Sequence, residues 1–310
     1  MNSGLQFLDP SYLFYAKIWI GLLVIGGVTL GGLRLTIGRK SSTIASALVT
    51  YRSWLIILPL MALPLGLGRS ATLIAVTVLS LLCFKEFARA TGLYQDWVFT
   101  GAVYLSILFL SYLIWIRWYG MFLVWPIYVT VLMWMIPVLR NQTEGMVQKA
   151  SLSIVGFLYF GWFLGHLGYL TNVEGGLAYL LFLTLAVSLN DVAAYATGKL
   201  FGRTPVVSNV SPRKTWEGAI GSIVVTAVVV GLLCSWLPQF GIVQKVLAAL
   251  IVGVGGQFGD LTISVIKRDI GIKDMGALFP GHGGLLDRFD SLIFVSPLFF
   301  HMVAYFYHIR

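Results

Sequence analysis

Five of the twelve carboxylates in this 310-residue chain fall between residues 260 and 290: Asp260, Asp269, Asp274, Asp287 and Asp290. The same stretch holds Lys267, Arg268, Lys273, His282 and Arg288. Asp260, Ser264 and Lys267 or Arg268 stand at i, i+4 and i+7 or i+8. On a helix they would line one face over about 12 Å. Asp287 and Asp290, three apart, would share a face in the same way. Between the two groups runs Gly276 to Gly284, a glycine-rich loop with Pro280 and His282 that could bring backbone N–H groups against a phosphate. Oxygen-only donors select hard cations such as Mg²⁺. A metal bridging phosphate oxygens, with Lys and Arg beside it, is the apparatus of phosphoryl or nucleotidyl transfer. No P-loop occurs, and the two cysteines, Cys83 and Cys234, sit in apolar runs that give no thiolate metal site or disulfide framework.

A second polar stretch, 190–218, has matching chemistry. It contains Asn190-Asp191, Tyr195, Gly198-Lys199 and Gly202-Arg203, then Ser211-Pro212-Arg213-Lys214-Thr215-Trp216-Glu217-Gly218. Ser211 reads as a helix N-cap with Pro212 at the first helical position. A helix start bearing Lys214 and Thr215 suits a phosphate. Asp191 ends an apolar run and is either a further metal ligand or a solvated loop start. Earlier in the chain, Glu86 and Arg89 lie three apart on one helix face and read as a structural ion pair first and a substrate clamp second.

The elements that must position these residues are membrane helices. Only 11% of the chain is charged and 58% is apolar, with a mean hydropathy of +0.88; a soluble domain is about a quarter charged. The pattern predicts an all-α, polytopic membrane bundle with ten spans, at 12–33, 54–67, 71–84, 97–116, 119–139, 151–170, 177–190, 215–237, 242–259 and 292–307. The first is too long for a signal-peptide core and reads as a retained span. The second, third and seventh are short for full crossings, and the second and third form either a tight hairpin at Gly68-Arg69 or one broken span. With the amino terminus outside, sixteen of the 21 Lys and Arg residues fall on the inner side. Lys17, Arg69, Arg117, Lys245 and Arg310 are left outside, the bias expected of cytoplasmic loops. The net charge of +9 therefore reads as topology and anionic substrate, with no nucleic acid as partner. Trp19, Trp54, Trp97, Trp118 and Trp236, near span ends, read as interface anchors. Residues 1–170 form a scaffold region. Residues 171–310 form a catalytic region with loops 191–217 and 260–290 on the cytoplasmic side.

The stretch from Ser264 to Asp290 resembles the signature of the phosphatidate cytidylyltransferases, or CDP-diacylglycerol synthases. The likeness rests on Ser264, Lys267-Arg268, Lys273-Asp274, Gly276, Phe279-Pro280, His282-Gly283-Gly284, Asp287-Arg288 and Asp290. The 190–218 block is similar to an upstream family element, and Glu86-Phe-Ala-Arg89 is similar to a weaker one. Phe279 stands where many members have Leu, and Arg213 where Lys is common. The resemblance implies a bacterial inner-membrane enzyme that transfers CMP from CTP to phosphatidate, giving CDP-diacylglycerol and pyrophosphate with Mg²⁺. It also implies a paired-metal centre held by aspartates, which carries over to Asp260 and Asp287, then Asp290 and Asp191. Lys267, Arg268, Lys273, Asp274, His282 and Arg288 would act on the phosphates. Ser211, Lys214, Thr215, Glu217, Ser264, Gly283 and Gly284 would bind substrate. The partners are CTP, phosphatidate and the bilayer, and a homodimer is one arrangement open to the chain. Three other readings stand beside this one: a relative acting on another lipid phosphate, such as an isoprenoid-ether lipid; an anionic-lipid or nucleotide transporter; and a catalytically degenerate paralogue with a scaffold role.

Overall fold

A bilayer offers no water to backbone polar groups, so a spanning chain must satisfy them within helices or closed barrels. This chain does so with helices. The computed structural model describes residues 4–36, 42–237, 240–276 and 283–307. The helices are α1 (Pro10–Thr36), α2 (Ser42–Gly66), α3 (Arg69–Ala90), α4 (Trp97–Trp115), α5 (Tyr119–Leu139), α6 (Met146–Gly156), α7 (Leu164–Leu170), α8 (Gly176–Phe201), α9 (Trp216–Leu233), α10 (Ile242–Asp269) and α11 (Leu286–Tyr307). A π-helical segment, Phe157–Phe163, joins α6 and α7 into one rod, Met146–Leu170. The described residues thus form ten rods, nine of them long and apolar enough to cross a membrane. The remaining one, α2, carries Pro59 and Pro64.

The ten rods follow the ten expected spans, with the hairpin alternative realised and two lengths corrected. The second and third spans are separate helices, turned at Gly68, where φ is +97°. The third and seventh are full-length, with 22 and 26 residues. Polar residues that end an apolar run, such as Glu86 and Asp191, continue the helix because it satisfies their backbone groups.

Polar contacts tie rod ends together in two separate sets. At one end Arg69, leading α3, donates to the carbonyls of Ile114 and Trp115 at the close of α4 and to Asn172. At the other end Asp96, just before α4, meets Arg140 after α5 and Lys149 on α6, each at 2.9 Å. The residues expected to do chemistry lie on the ends of α3, α8, α9, α10 and α11 that share the second level.

Deep in the bundle, His166 Nδ1 lies 2.7 Å from the Trp162 carbonyl and its Nε2 lies 3.2 Å from His301 Nε2. A carbonyl only accepts, so Nδ1 carries the proton, and in the neutral ring Nε2 then accepts from His301.

Burial opposes ionisation of Asp96, but the hydrogen bonds and charges of Lys149 and Arg140 outweigh it and hold the carboxyl below its ordinary value. A depressed carboxylate stabilises the fold above its unfolded titration near about pH 4, and that stability is lost as pH falls through the lower folded value. Wild type should therefore melt higher than Asp96→Asn at about pH 6, and the gap should close towards about pH 3. Thermal unfolding in detergent checks this, and a gap independent of pH would refute it.

Candidate active site

α10 runs unbroken through Gly259 to Asp269, so Asp260, Ser264 and Lys267 do share a face. The Ser264 hydroxyl donates to Asp260 Oδ1 at 3.3 Å. α11 begins at Leu286 and holds Asp287 and Asp290 at its start. The two helices touch at Gly259, where a Cβ would stand 2.7 Å from the Asp290 carbonyl oxygen and 2.8 Å from Ser291 Cα. Across this seam Lys267 Nζ lies 2.8 Å from Asp287 Oδ1, with the two side chains only 12% and 6% exposed. The other Asp287 oxygen accepts from the N–H groups of Met275 at 3.0 Å and Gly284 at 2.9 Å. One carboxylate thus holds a cation and both edges of the glycine-rich loop. The middle of that loop, with His282 in it, lies outside the described residues.

Gly283 must be glycine on two counts. Its φ is +77°, and a Cβ would come within 2.6 Å of Asp287 Oδ2 and 3.2 Å of Asp274 Oδ1. Asp274 and Lys273 are exposed on the approach to this turn.

α8 brings Asp191 to the same place. Ser291 bridges the two helices: its hydroxyl donates to Asp191 Oδ1 at 3.0 Å and its N–H to Asp290 Oδ1 at 2.7 Å. The neighbouring Asn190 is buried and accepts from Thr226 of α9. α9 lies close against α8 because Gly218 meets Gly198, leaving less than 3.0 Å for a Cβ.

The 205–215 segment departs from expectation. Pro205–Val207 and Ser211–Thr215 form an antiparallel hairpin, β1 and β2. Ser211 is therefore a strand residue, and the α9 N-cap is Thr215, whose hydroxyl accepts from Gly218 N at 3.2 Å. Pairing with β1 holds Ser211 and Pro212 extended, and Glu217 pins the hairpin base by accepting from the N–H groups of Arg203 and Thr204. Arg268 donates to Val210 O at the hairpin tip. Lys214, on β2, reaches Asp260 Oδ2 at 2.7 Å. Of the residues expected to bind substrate, Glu217 and Thr215 thus build the hairpin, while Lys214 enters the carboxylate cluster.

Two cavities adjoin beside these carboxylates, which line only the smaller one. A polar one of about 90 Å³ is lined by Trp54, Ser188, Asp191, Asp287, Arg288 and Asp290. An apolar cleft of about 320 Å³ runs on between α2, α3, α8 and α11, past Leu60, Leu79, Leu82 and Leu180. Met61, Thr184, Phe289 and Leu292 line both. Trp54, expected only to anchor the interface, is part of this wall.

Asp290 is 7% exposed and, among the described residues, makes no ion pair. A buried carboxylate without a cation is costly. Asp290, Asp191 beside it and the nearby Asp260 offer only oxygens, which fits a hard cation. Among the described residues, no group of three acidic, histidine or cysteine side chains is placed to hold a metal ion, so a cation bound by two of these carboxylates would complete its shell with water or phosphate oxygens.

Two contributors escaped sequence reasoning. Ser291 carries no signal beyond its place after Asp290. Glu86 does not pair with Arg89: its oxygens accept from Leu285 N and Leu286 N at 2.9 Å each, and Arg89 lies over the Tyr94 ring. A partner 199 residues away leaves no local trace.

A family model described as the cytidylyltransferase family matches residues 49–306. The chain belongs to the cytidylyltransferase family. Membership places it among the nucleotidyltransferases. It is 34% identical over 261 residues to "Uncharacterized protein YnbB" of Escherichia coli K12, covering 82% of this chain and 86% of that one. It is 40% identical over 145 residues to the phosphatidate cytidylyltransferase of Staphylococcus haemolyticus, covering 46% of this chain and 52% of that one. It is 45% identical over 131 residues to phosphatidate cytidylyltransferase 5, chloroplastic, of Arabidopsis thaliana, covering 41% and 32%. The chain thus matches about a third to a half of the length of these two named enzymes.

The seam at Gly259 yields a direct test. Gly259→Ala should destabilise this cytidylyltransferase-family protein by about 1–3 kcal/mol, because backbone atoms must move. Gly255→Ala should be near neutral, since its Cβ would make an ordinary 3.4 Å contact with Val295. Denaturation of the two variants side by side checks this, and equal stability would argue against the close seam.

Proposed function

We propose that this chain transfers CMP from CTP to phosphatidate, yielding CDP-diacylglycerol and pyrophosphate. The observation that carries this reading is the junction of a carboxylate-lined cavity with an apolar cleft. A nucleotide and a lipid tail need those two environments side by side. Relatives named phosphatidate cytidylyltransferase support it.

An oxygen of the lipid phosphate attacks the α-phosphorus of CTP. The new P–O bond forms as the bond to the oxygen bridging to the β-phosphorus breaks, and pyrophosphate leaves with that electron pair. A phosphate dianion is already nucleophilic, so no general base is required. Lys214 and Lys267 are held on Asp260 and Asp287. They neutralise the triphosphate and the leaving group, with Arg268, Lys273 and Arg288 around them. Asp191 and Asp290, with Asp260 beside them, would hold a Mg²⁺ ion, which when bound screens phosphate charge and polarises phosphate oxygens. Asp287, placed by resemblance among the metal ligands, also orients Lys267 and the loop amides. The excess of Lys and Arg at this end supports an orientation with the site facing the cytoplasm.

The test supplies α-labelled CTP, Mg²⁺ and phosphatidate to purified protein and follows label into the lipid phase. Wild type should label the lipid, and Asp287→Asn should lose on the order of 10³-fold in kcat. Full turnover in that variant would remove Asp287 from the machinery. Label appearing only with an isoprenoid-ether lipid phosphate would change the acceptor. Filling the cleft with Leu79→Trp should raise KM for phosphatidate by about 10-fold and leave KM for CTP unchanged; equal effects on both would overturn the assignment of the cleft to the lipid tail.

A further inference from the structure

The start of α11 decides where Asp287 and Asp290 point, and a helix start leaves its first N–H groups without helical partners. Here three successive groups are all taken by carboxylates. Gly284 N donates to Asp287, and Leu285 N and Leu286 N donate to Glu86. Glu86 belongs to α3, in the first third of the chain.

The enclosure around Glu86 is tight. A Cβ on Gly276 would lie 2.6 Å from Glu86 Oε1, and one on Gly284 would collide with Oε2. The two ends of the glycine-rich loop therefore close on this carboxylate. Among the described residues Glu86 makes no ion pair. It lines neither of the two cavities, and both its oxygens accept from backbone N–H groups. Its charge also complements the positive end of α11.

We propose that Glu86 is a positioning residue for nucleotidyl transfer: it fixes the residue at which α11 begins and so aims Asp287 and Asp290 into the site. The inference deepens the function proposed above and rests on it for its kinetic arm. Without Glu86, Leu285 N and Leu286 N lose their acceptors, the loop ends separate, and Asp287 has only its own contacts to hold it. Because Leu285, Phe289 and Leu292 line the apolar cleft, the same carboxylate also sets the lipid wall in register with the carboxylates.

The experiment compares wild type with Glu86→Ala, which removes both acceptor oxygens, and Glu86→Gln, which keeps the size and one acceptor. Two readouts are taken: amide hydrogen exchange over residues 283–290, and kcat and KM per folded molecule. Exchange there should rise by about 10-fold or more in Glu86→Ala and less in Glu86→Gln, with α4 and α5 unchanged. The kcat should fall about 10- to 100-fold in the same order, the scale of losing one or two hydrogen bonds to a charged group. Both KM values should move less than about 3-fold. Unchanged exchange over 283–290 in both variants would overturn the proposal. So would loss of folded protein at unchanged kcat, the mark of a purely structural role. If Glu86→Ala does not fold, Glu86→Gln carries the decision. Should wild type label no lipid at all, the proposed function falls, while the exchange readout still decides whether Glu86 holds the start of α11.

Discussion

Asp287 is the joint on which the site depends. A carboxylate this buried must be compensated on both oxygens, and here one meets Lys267 while the other takes two loop amides. This couples α10, α11 and the loop between them, because none can move without stranding a charge or a donor at low dielectric. The arrangement around it is repetitive in kind: Lys214 on Asp260, Glu86 on the first amides of α11, Glu217 on the amides of Arg203 and Thr204. Carboxylates organise backbone here as much as they await substrate.

Close approach makes this possible. Between lipid-embedded helices the hydrophobic effect gives little drive, and contact depends on small residues that let backbones meet. Gly259 against α11 and Gly218 against α8 do this at the level of the chemistry. The cavities open where bulkier walls, the leucines of α2, α3 and α8, keep rods apart. Tight seams and open cleft thus follow from one variable, side-chain size at the crossing.

How far the sequence revealed this depended on range. The ten rods and the shared face of Asp260, Ser264 and Lys267 were legible because hydropathy and helical spacing are local. Ser211 was misread because Ser-Pro is a good helix entrance in isolation, and only pairing with Pro205–Val207 makes it a strand. Glu86 was misread for a related reason: Arg89 is its neighbour in spacing, while its true partners lie across the bundle. Ser291 was invisible because a serine gains meaning only from the two carboxylates that the fold places beside it.

The π-helical segment Phe157–Phe163 has a consequence for how this chain tolerates changes in length. A π turn is an α-helix carrying one surplus residue. Within the bilayer it is a place where a residue can be deleted while the rod stays hydrogen-bonded from end to end. The wider π turn already absorbs the roughly 100° that the surplus residue would add in an α-helix, so the deletion would leave α7 turning much the same face to α3 and α11. His166 would keep its place beside His301. The segment therefore acts as a length buffer: it takes up one residue while the rod on either side keeps its orientation.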